Sequence, residues 1–426
     1  MIDIQRIKDQ PEKIIALFAR KGFQIDVKPL LEDYAHRKTL LLEVEQVKSE
    51  ANKLSNSVPE IKKAGGDIQA IFAKVKLLNQ SIQGKEQALK DLEQKLEQAL
   101  LELPNLPDED LAEGGKENNQ VIRVVGEKPQ FAFTLKDHVT LAESLGVIDY
   151  QRAAKISGAG TWLYRGLGAQ LEWALLNFFI QEHLRDQYEM VLVPHMLNYA
   201  SGVTAGQFPK FKDDVFWLKK AEPEKFLLPT AETALVNLHR DEILDGSLLP
   251  KKYFAYSPCY RYEAGSYRSE ERGMIRGYQF NKVELVQYTR EEQSDAMFQE
   301  LVDKASSLVQ QLGLHFRVSK LAAGDCSFAM ARTYDIEVYI PSLNIYKEVS
   351  SVSNARDYQA RRGMVRYKDP TNQKTKFAHT LNASALATSR ILPAILEQYQ
   401  QADGRVKIPD VLKPFMGGIA FLEKTK

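Results

Sequence analysis

Between about residue 30 and residue 101, apolar side chains return at alternating steps of four and three. Leu40, Val44, Val47, Ala51, Leu54 and Val58 form one series; Ile68, Ile71, Val75, Leu78, Ile82, Leu89, Leu92 and Leu96 form a second, with Lys85 its one polar intruder. A repeat near 3.5 residues marks helices that pack along a narrow seam. Pro59, Gly65 and Gly66 fall between the series and are expected to interrupt helix there. The pattern therefore predicts two antiparallel helices joined by a reversal. At about 1.5 Å per residue each reaches roughly 50 Å, too slender to hold a core of its own, so the arm must project.

Past residue 103 the period disappears. LPNLPDEDLAEGGKENN is acidic and rich in Pro, Gly and Asn, and reads as a linker. Beyond it, short β-rich runs alternate with amphipathic helices, as an α+β domain requires. Helices are expected at 166–184, with Leu171, Leu175, Phe178 and Phe179 on one face, and at 233–244 and 301–311. Strands are expected at 190–193, closed by Pro194, at 253–260 and 274–285 as a hairpin, and near 315–321 and 334–339. Residues 379–400 read as a strand passing into a helix.

Composition narrows the class. With 426 residues, 44% hydrophobic and 27% charged, the chain is too long for one ordinary core and suits a globular protein of two or more domains. A formal net charge of +1 gives no global attraction to nucleic acid, so any RNA site must be a local patch. One candidate is the outer arm, where Lys48, Lys53, Lys62, Lys63, Lys74 and Lys76 face only Glu50, Glu60 and Asp67. Taken alone, those lysines are read first as solvated faces or a dimerising coiled coil. Cys259 and Cys326 cannot build a disulfide framework, and the seven histidines show no zinc spacing. The N-terminus has no signal-peptide core, and the longest apolar run, near 174–180, is too short for a bilayer. A cytoplasmic protein is expected, with neither membrane nor DNA as partner.

The chemistry concentrates in SPCYRYEAGSYRSEERGMIRGYQFNKVE, residues 257–284. Arg261, Arg268, Arg272 and Arg276 fall within sixteen residues, one on each arm of the hairpin and two in its loop. Forked guanidinium groups in that density suit paired phosphate oxygens, although a charged surface hairpin is the plain alternative. YRYEAGS, followed after an eleven-residue interval by YQFNKVE, resembles the second signature motif of class II aminoacyl-tRNA synthetases in its seryl-tRNA synthetase form. The resemblance extends over nearly the whole chain. Residues 166–194 are similar to the first motif and 379–400, with HTLNASALATSR, to the third. The PTAE segment, 229–232, is similar to the seryl enzymes' amino-acid-binding stretch, although alone it reads equally as a helix cap.

The resemblance implies an α+β fold: an N-terminal antiparallel coiled-coil hairpin arm (domain 1–108), then a class II catalytic domain (109–426) built on an antiparallel β-sheet flanked by helices. It implies ATP-dependent activation of L-serine and transfer to tRNA(Ser), the arm gripping the tRNA's long variable arm. A homodimer and selenocysteine tRNA are further implied partners. Arg261 and Arg390 are the implied catalytic residues, Arg261 bridging the serine carboxylate and α-phosphate and Arg390 clamping the γ-phosphate. Thr230, Ala231, Glu232, Arg261, Glu284, Asn382 and Ser384 would form the serine pocket. ATP would meet Arg261, Tyr262, Glu263, Phe280, Glu348, Val349, Ser350, Ser351 and Arg390, with Phe280 stacked on adenine, Glu263 on its amino group, and Mg²⁺ on Glu348 and Ser351. Residues 267–272 would guide the tRNA acceptor end. Asn354 is expected beside Glu348, Ser350 and Ser351.

Departures from the family pattern are Tyr262, where serine is common, and Ala383, Ala385 and Ser389, where glycines are common. Each lost glycine adds a Cβ where backbone approaches a ligand. They admit a specialised second copy with altered substrate or drug tolerance. A ligase that loads a carrier protein would have no use for the arm, and a non-catalytic coiled-coil protein would not keep these charged residues.

Overall fold

A computed structural model describes residues 1–65, 67–262 and 273–424. The chain divides into two compact units, one comprising Ile2–Ala19 and Gln24–Leu103, the other Met1, Arg20–Phe23 and Pro104–Lys426.

In the first unit, helices Lys28–Lys63 and Ile68–Leu101 form the predicted hairpin. Arg37 pairs with Glu93, Lys48 with Glu86, Lys74 with Glu50 and Lys95 with Asp33. Partner numbers that fall on one helix as they rise on the other fix the antiparallel sense. Leu40, Val44, Ala51 and Leu96 are buried in the seam, and Lys85, the intruder, meets Glu43 on the facing helix. Pro59 does not interrupt the helix, which runs four residues further. The carbonyl it deprives of a partner belongs to Ser55, which is exposed to solvent. Asp67 then restarts the chain by accepting from Gln69 N and Ala70 N at 2.9 and 3.2 Å. Lys48 and Lys74, two of the lysines in the arm's excess, are engaged across the seam.

The second unit is organised on an eight-stranded sheet. Its order is Gln120–Val125, Phe316–Lys320, Arg332–Ile340, Ile345–Arg356, His379–Ala387, Gln279–Thr289, Lys251–Tyr260 and Glu189–Met190. Every pair is antiparallel except the last. Alternation along the hairpin sends Phe254, Val283 and Leu285 to one face, under helices Leu167–Arg185, Ser294–Gln311 and Thr388–Gln398. Tyr253, Ala255, Val286 and Tyr288 point to the other, against Phe208, Phe226 and Leu235. No helix of the described residues is long and apolar enough to cross a membrane.

Four expectations change. The linker is packed instead: Asn105 Nδ2 donates to the Ala329 and Ala355 carbonyls at 2.9 and 2.8 Å, and Asp108 pairs with Arg332 and Arg356. The helix at 233–244 is only Glu232–Leu235, followed by strand Ile243–Asp245. Tertiary pairing overrides the helical pattern there: Asp241, at φ 65°, donates its N–H to Gly363 O, and Ile243–Asp245 lies parallel to Arg366–Lys368. The strand at 190–193 is confined to Glu189–Met190. The hairpin's second arm starts at Gln279, not 274, because Met274 and Ile275 are buried and Gly277 lies so tight on Trp162 that a Cβ would sit 2.3 Å from its ring.

Candidate active site

The hairpin and the two strands beyond it bring the dispersed residues together. Arg261, Arg276, Phe280, Glu348, Val349 and Arg390 line one cleft with Lys282, Ser384 and Ser389. A wider cleft, walled by Gln207, Phe211, Asp214 and Thr230, shares Arg261, Arg276 and Arg390. Arg261, at the end of the first hairpin strand, lies over the Phe280 ring at 5.2 Å and donates from Nε to Pro229 O at 3.3 Å. Arg390 reaches back from the helix after His379–Ala387 to the Glu348 carbonyl at 2.8 Å and carboxylate at 3.3 Å. Burial opposes ionisation of Glu348, but the guanidinium groups of Arg390 and Arg261 outweigh it and hold the carboxyl below its usual range.

Strand period decides what shares a face. Phe280, Lys282 and Glu284 alternate toward the site. Lys282, buried, is ion-paired with Glu284 and donates to Thr230 Oγ1 at 2.8 Å and Ser384 Oγ at 3.4 Å. Thr230 donates to Glu284 at 3.3 Å. Glu232 Oε1 accepts from Gln359 Nε2 at 2.8 Å and Asn382 Nδ2 at 3.0 Å. Burial, with the Glu284 charge adding to it, pushes the Glu232 carboxyl up to about 7. The result is a buried acid, a half-buried one and a buried lysine gathered with Thr230, Asn382 and Ser384, an arrangement suited to an ammonium and a hydroxyl.

Sequence reasoning missed Lys282, Gln359 and Asp335. Lys282 was legible, two residues from Phe280 and two from Glu284 on a strand. Asp335 and Gln359 gave no local signal, since Asp335 is brought to Ser351 by strand pairing and Gln359 to Glu232 from a remote helix. Ser351 Oγ donates to Asp335 Oδ1 at 2.6 Å. Burial, and then the Glu348 charge, raises the Asp335 carboxyl well above its usual range.

Other expected residues are placed differently. Asn354 is not beside Glu348: further along the strand, it is fully buried and donates to Ser294 Oγ at 2.8 Å. Ser350 is buried with its hydroxyl on Ser384 O at 2.5 Å. Ala231 is buried in the apolar cluster around Phe226 and Leu235, which leaves only its backbone for a ligand. Tyr262 is half exposed, edge-on to Phe216, with its N–H on Asp214 O. Ala383 and Ala385 point into the main core, so neither methyl is among the groups that crowd a ligand; Ser389 does line the cleft. Glu263, Arg268 and the rest of 267–272 lie outside the described residues.

Residues 1–107 match the family described as seryl-tRNA synthetase N-terminal domain, and residues 216–399 the tRNA synthetase class II core domain (G, H, P, S and T). The chain is 55% identical over 421 residues to serine--tRNA ligase 2 of Clostridium acetobutylicum, covering 98% of this chain and 99% of that one. It is 42% identical over an equal length to serine--tRNA ligase of Thermodesulfovibrio yellowstonii, with the same coverage. Among solved structures, seryl-tRNA synthetase from Pyrococcus horikoshii complexed with ATP superposes over the whole of both chains with a TM-score of 0.93 at 32% identity. With both segments matched and full-length relatives of this identity, the chain belongs to the seryl-tRNA synthetases, a class II aminoacyl-tRNA synthetase family.

Proposed function

We propose that this chain activates L-serine with ATP and transfers the seryl group to tRNA(Ser), with Arg261 and Arg390 as its catalytic cations. The observation that carries the site assignment is the convergence of Arg261, Phe280, Glu348 and Arg390 on one cleft. A serine carboxylate oxygen attacks the α-phosphorus while the bond to the bridging oxygen breaks, and pyrophosphate leaves with that electron pair. The nucleophile is already ionised at neutral pH, so no base is required. The obstacle is repulsion between anions, which positioned cations relieve. Arg261 spans the carboxylate and α-phosphate, Arg390 holds the terminal phosphate, and Phe280 offers adenine its face. Val349 and Ser350 support the nucleotide from strand Ile345–Arg356, and Tyr262 from just past the end of strand Lys251–Tyr260.

Thr230, the Ala231 backbone, Glu232, Glu284, Asn382 and Ser384 form the serine pocket. A pocket that hydrogen-bonds a hydroxyl rejects alanine by leaving a polar group unpaired. The oxygens of Glu348 and Ser351, with Asp335 behind Ser351, fit Mg²⁺, which takes one or two protein oxygens and the rest from phosphates and water; bound there, it would neutralise phosphate charge. In the division of labour, 1–108 serves tRNA and 109–426 the chemistry. Contacts to an RNA backbone carry little sequence, which would admit selenocysteine tRNA. Exposed Trp173 and Leu184 on the first-motif helix, and Met190 and Leu192 after it, support a homodimer. The test is serine-dependent ATP–pyrophosphate exchange with the purified chain: serine should exceed alanine, threonine and glycine by about two orders of magnitude or more, and equal rates would refute the pocket.

Glu232 predicts a pH dependence. Its folded pKa of about 7 lies above the usual 4.5, so between those values the folded chain holds a proton that the unfolded chain has released. Its contribution to stability is complete below pH 4.5 and is lost as pH rises through 7. Serine's ammonium needs the ionised form, so the KM for serine should rise by about tenfold per pH unit below 7. Glu232→Gln should flatten that profile; a profile unchanged in the variant would remove Glu232 from ammonium recognition.

A further inference from the structure

Glu172 lies on helix Leu167–Arg185, which the family pattern gives to dimerisation, not chemistry. It is 3% exposed, and a carboxyl so placed is unfavourable unless its oxygens are matched. One oxygen is matched twice. Oε1 accepts from Asn281 Nδ2 at 2.8 Å and from Thr388 Oγ1 at 2.6 Å. Oε2 has no hydrogen-bond partner among the described residues, and Tyr164, with its own unpartnered hydroxyl, adjoins it. Burial pushes the carboxyl up, against the opposing pull of Thr388, Asn281 and the adjacent Tyr164 hydroxyl.

The two donors sit on different elements. Asn281 lies between Phe280 and Lys282, on the opposite face of their strand. Thr388 opens helix Thr388–Gln398, and Arg390 follows two residues later. The strands carrying them pair regularly from His379 to Ser384, but the register shifts between Ser384 and Ala387. Backbone pairing therefore does not by itself set where the helix begins relative to Phe280. Side chains bridge the gap: Thr388 Oγ1 also reaches Asn281 O at 3.2 Å, and Tyr256 donates to Asn281 Oδ1 at 3.3 Å.

We propose that Glu172 is a positioning residue for activation, setting the Phe280 strand against the Arg390 helix so that adenine and terminal phosphate are held at a fixed spacing. This rests on the roles given above to Phe280 and Arg390. The consequence is specific to nucleotide, because the acids and Lys282 that face serine are not in the network.

Serine-dependent ATP–pyrophosphate exchange by the full chain provides the test, with thermal melts to verify folding. Glu172→Leu should raise the KM for ATP by about tenfold and lower kcat, while the KM for serine stays within about twofold. Glu172→Gln keeps the accepting oxygen and should restore most of both. Thr388→Val, which conserves volume, should give a smaller change of the same kind, and the Glu172→Leu/Thr388→Val double variant should lose little more than Glu172→Leu alone. An unchanged ATP KM in folded Glu172→Leu, or in Thr388→Val should the leucine variant not fold, would overturn the proposal. So would parallel losses for serine and ATP, or failure of glutamine to rescue. Wild-type chain without serine-dependent exchange would refute the functional reading and this inference with it.

Discussion

Arg261→Ala should slow adenylate formation by about 10²–10³-fold, the loss expected when one preorganised donor to developing charge is removed. Arg261 Nε is braced by Pro229 O and its plane rests on Phe280, so the guanidinium is held before substrate arrives. Arg261→Lys should recover little, because an ammonium neither forks between two anions nor stacks flat on a ring. Neither variant should move the melting temperature by more than a few degrees, the group being partly exposed and not ion-paired among the described residues. Pyrophosphate exchange at saturating serine and ATP provides the measurement. A fall of less than tenfold for Arg261→Ala would show that the reacting groups meet elsewhere.

Shortening the arm should separate the two reactions. Replacing residues 55–73 by a glycine–asparagine turn should lower aminoacylation of tRNA(Ser) by about two orders of magnitude, as several phosphate contacts are lost, and leave exchange within about twofold. The helices pair in register below the cut, at Arg37–Glu93, Lys85–Glu43 and Lys95–Asp33, so the remaining hairpin keeps its seam. Exchange and charging falling together would refute the division of labour between the units. Raising salt should weaken charging by the intact chain and affect the shortened one less.

What the sequence disclosed follows the range of the force responsible. The arm was legible because its seam is a local period, carried by Leu40, Val44, Ala51 and Leu96 within two continuous helices. The hairpin was legible for the same reason. Residues 104–108 were misread because their composition is that of a linker, whereas Asp108 owes its place to Arg332 and Arg356, 224 and 248 residues away. The helix ending at Leu235 was overextended because Gly363 and strand Arg366–Lys368 capture the following backbone. In the site, Arg261, Phe280, Glu348 and Arg390 were named from motifs, while their sharing one cleft required the sheet order. Asp335 and Gln359 were invisible, each reaching the site only through a neighbour on another element.

Before any ligand enters, the cleft's cations already have company: Arg390 on Glu348, Arg261 on the Phe280 ring, Lys282 on Glu284. A bare polyphosphate must pull Arg390 from its acid with nothing to offer Phe280 in return. A molecule joining a flat heterocycle to a phosphate chain loosens both guanidinium groups together. The cleft keeps a net positive charge, yet a ligand that brings a ring as well as phosphates replaces more of the contacts it displaces than a bare anion does.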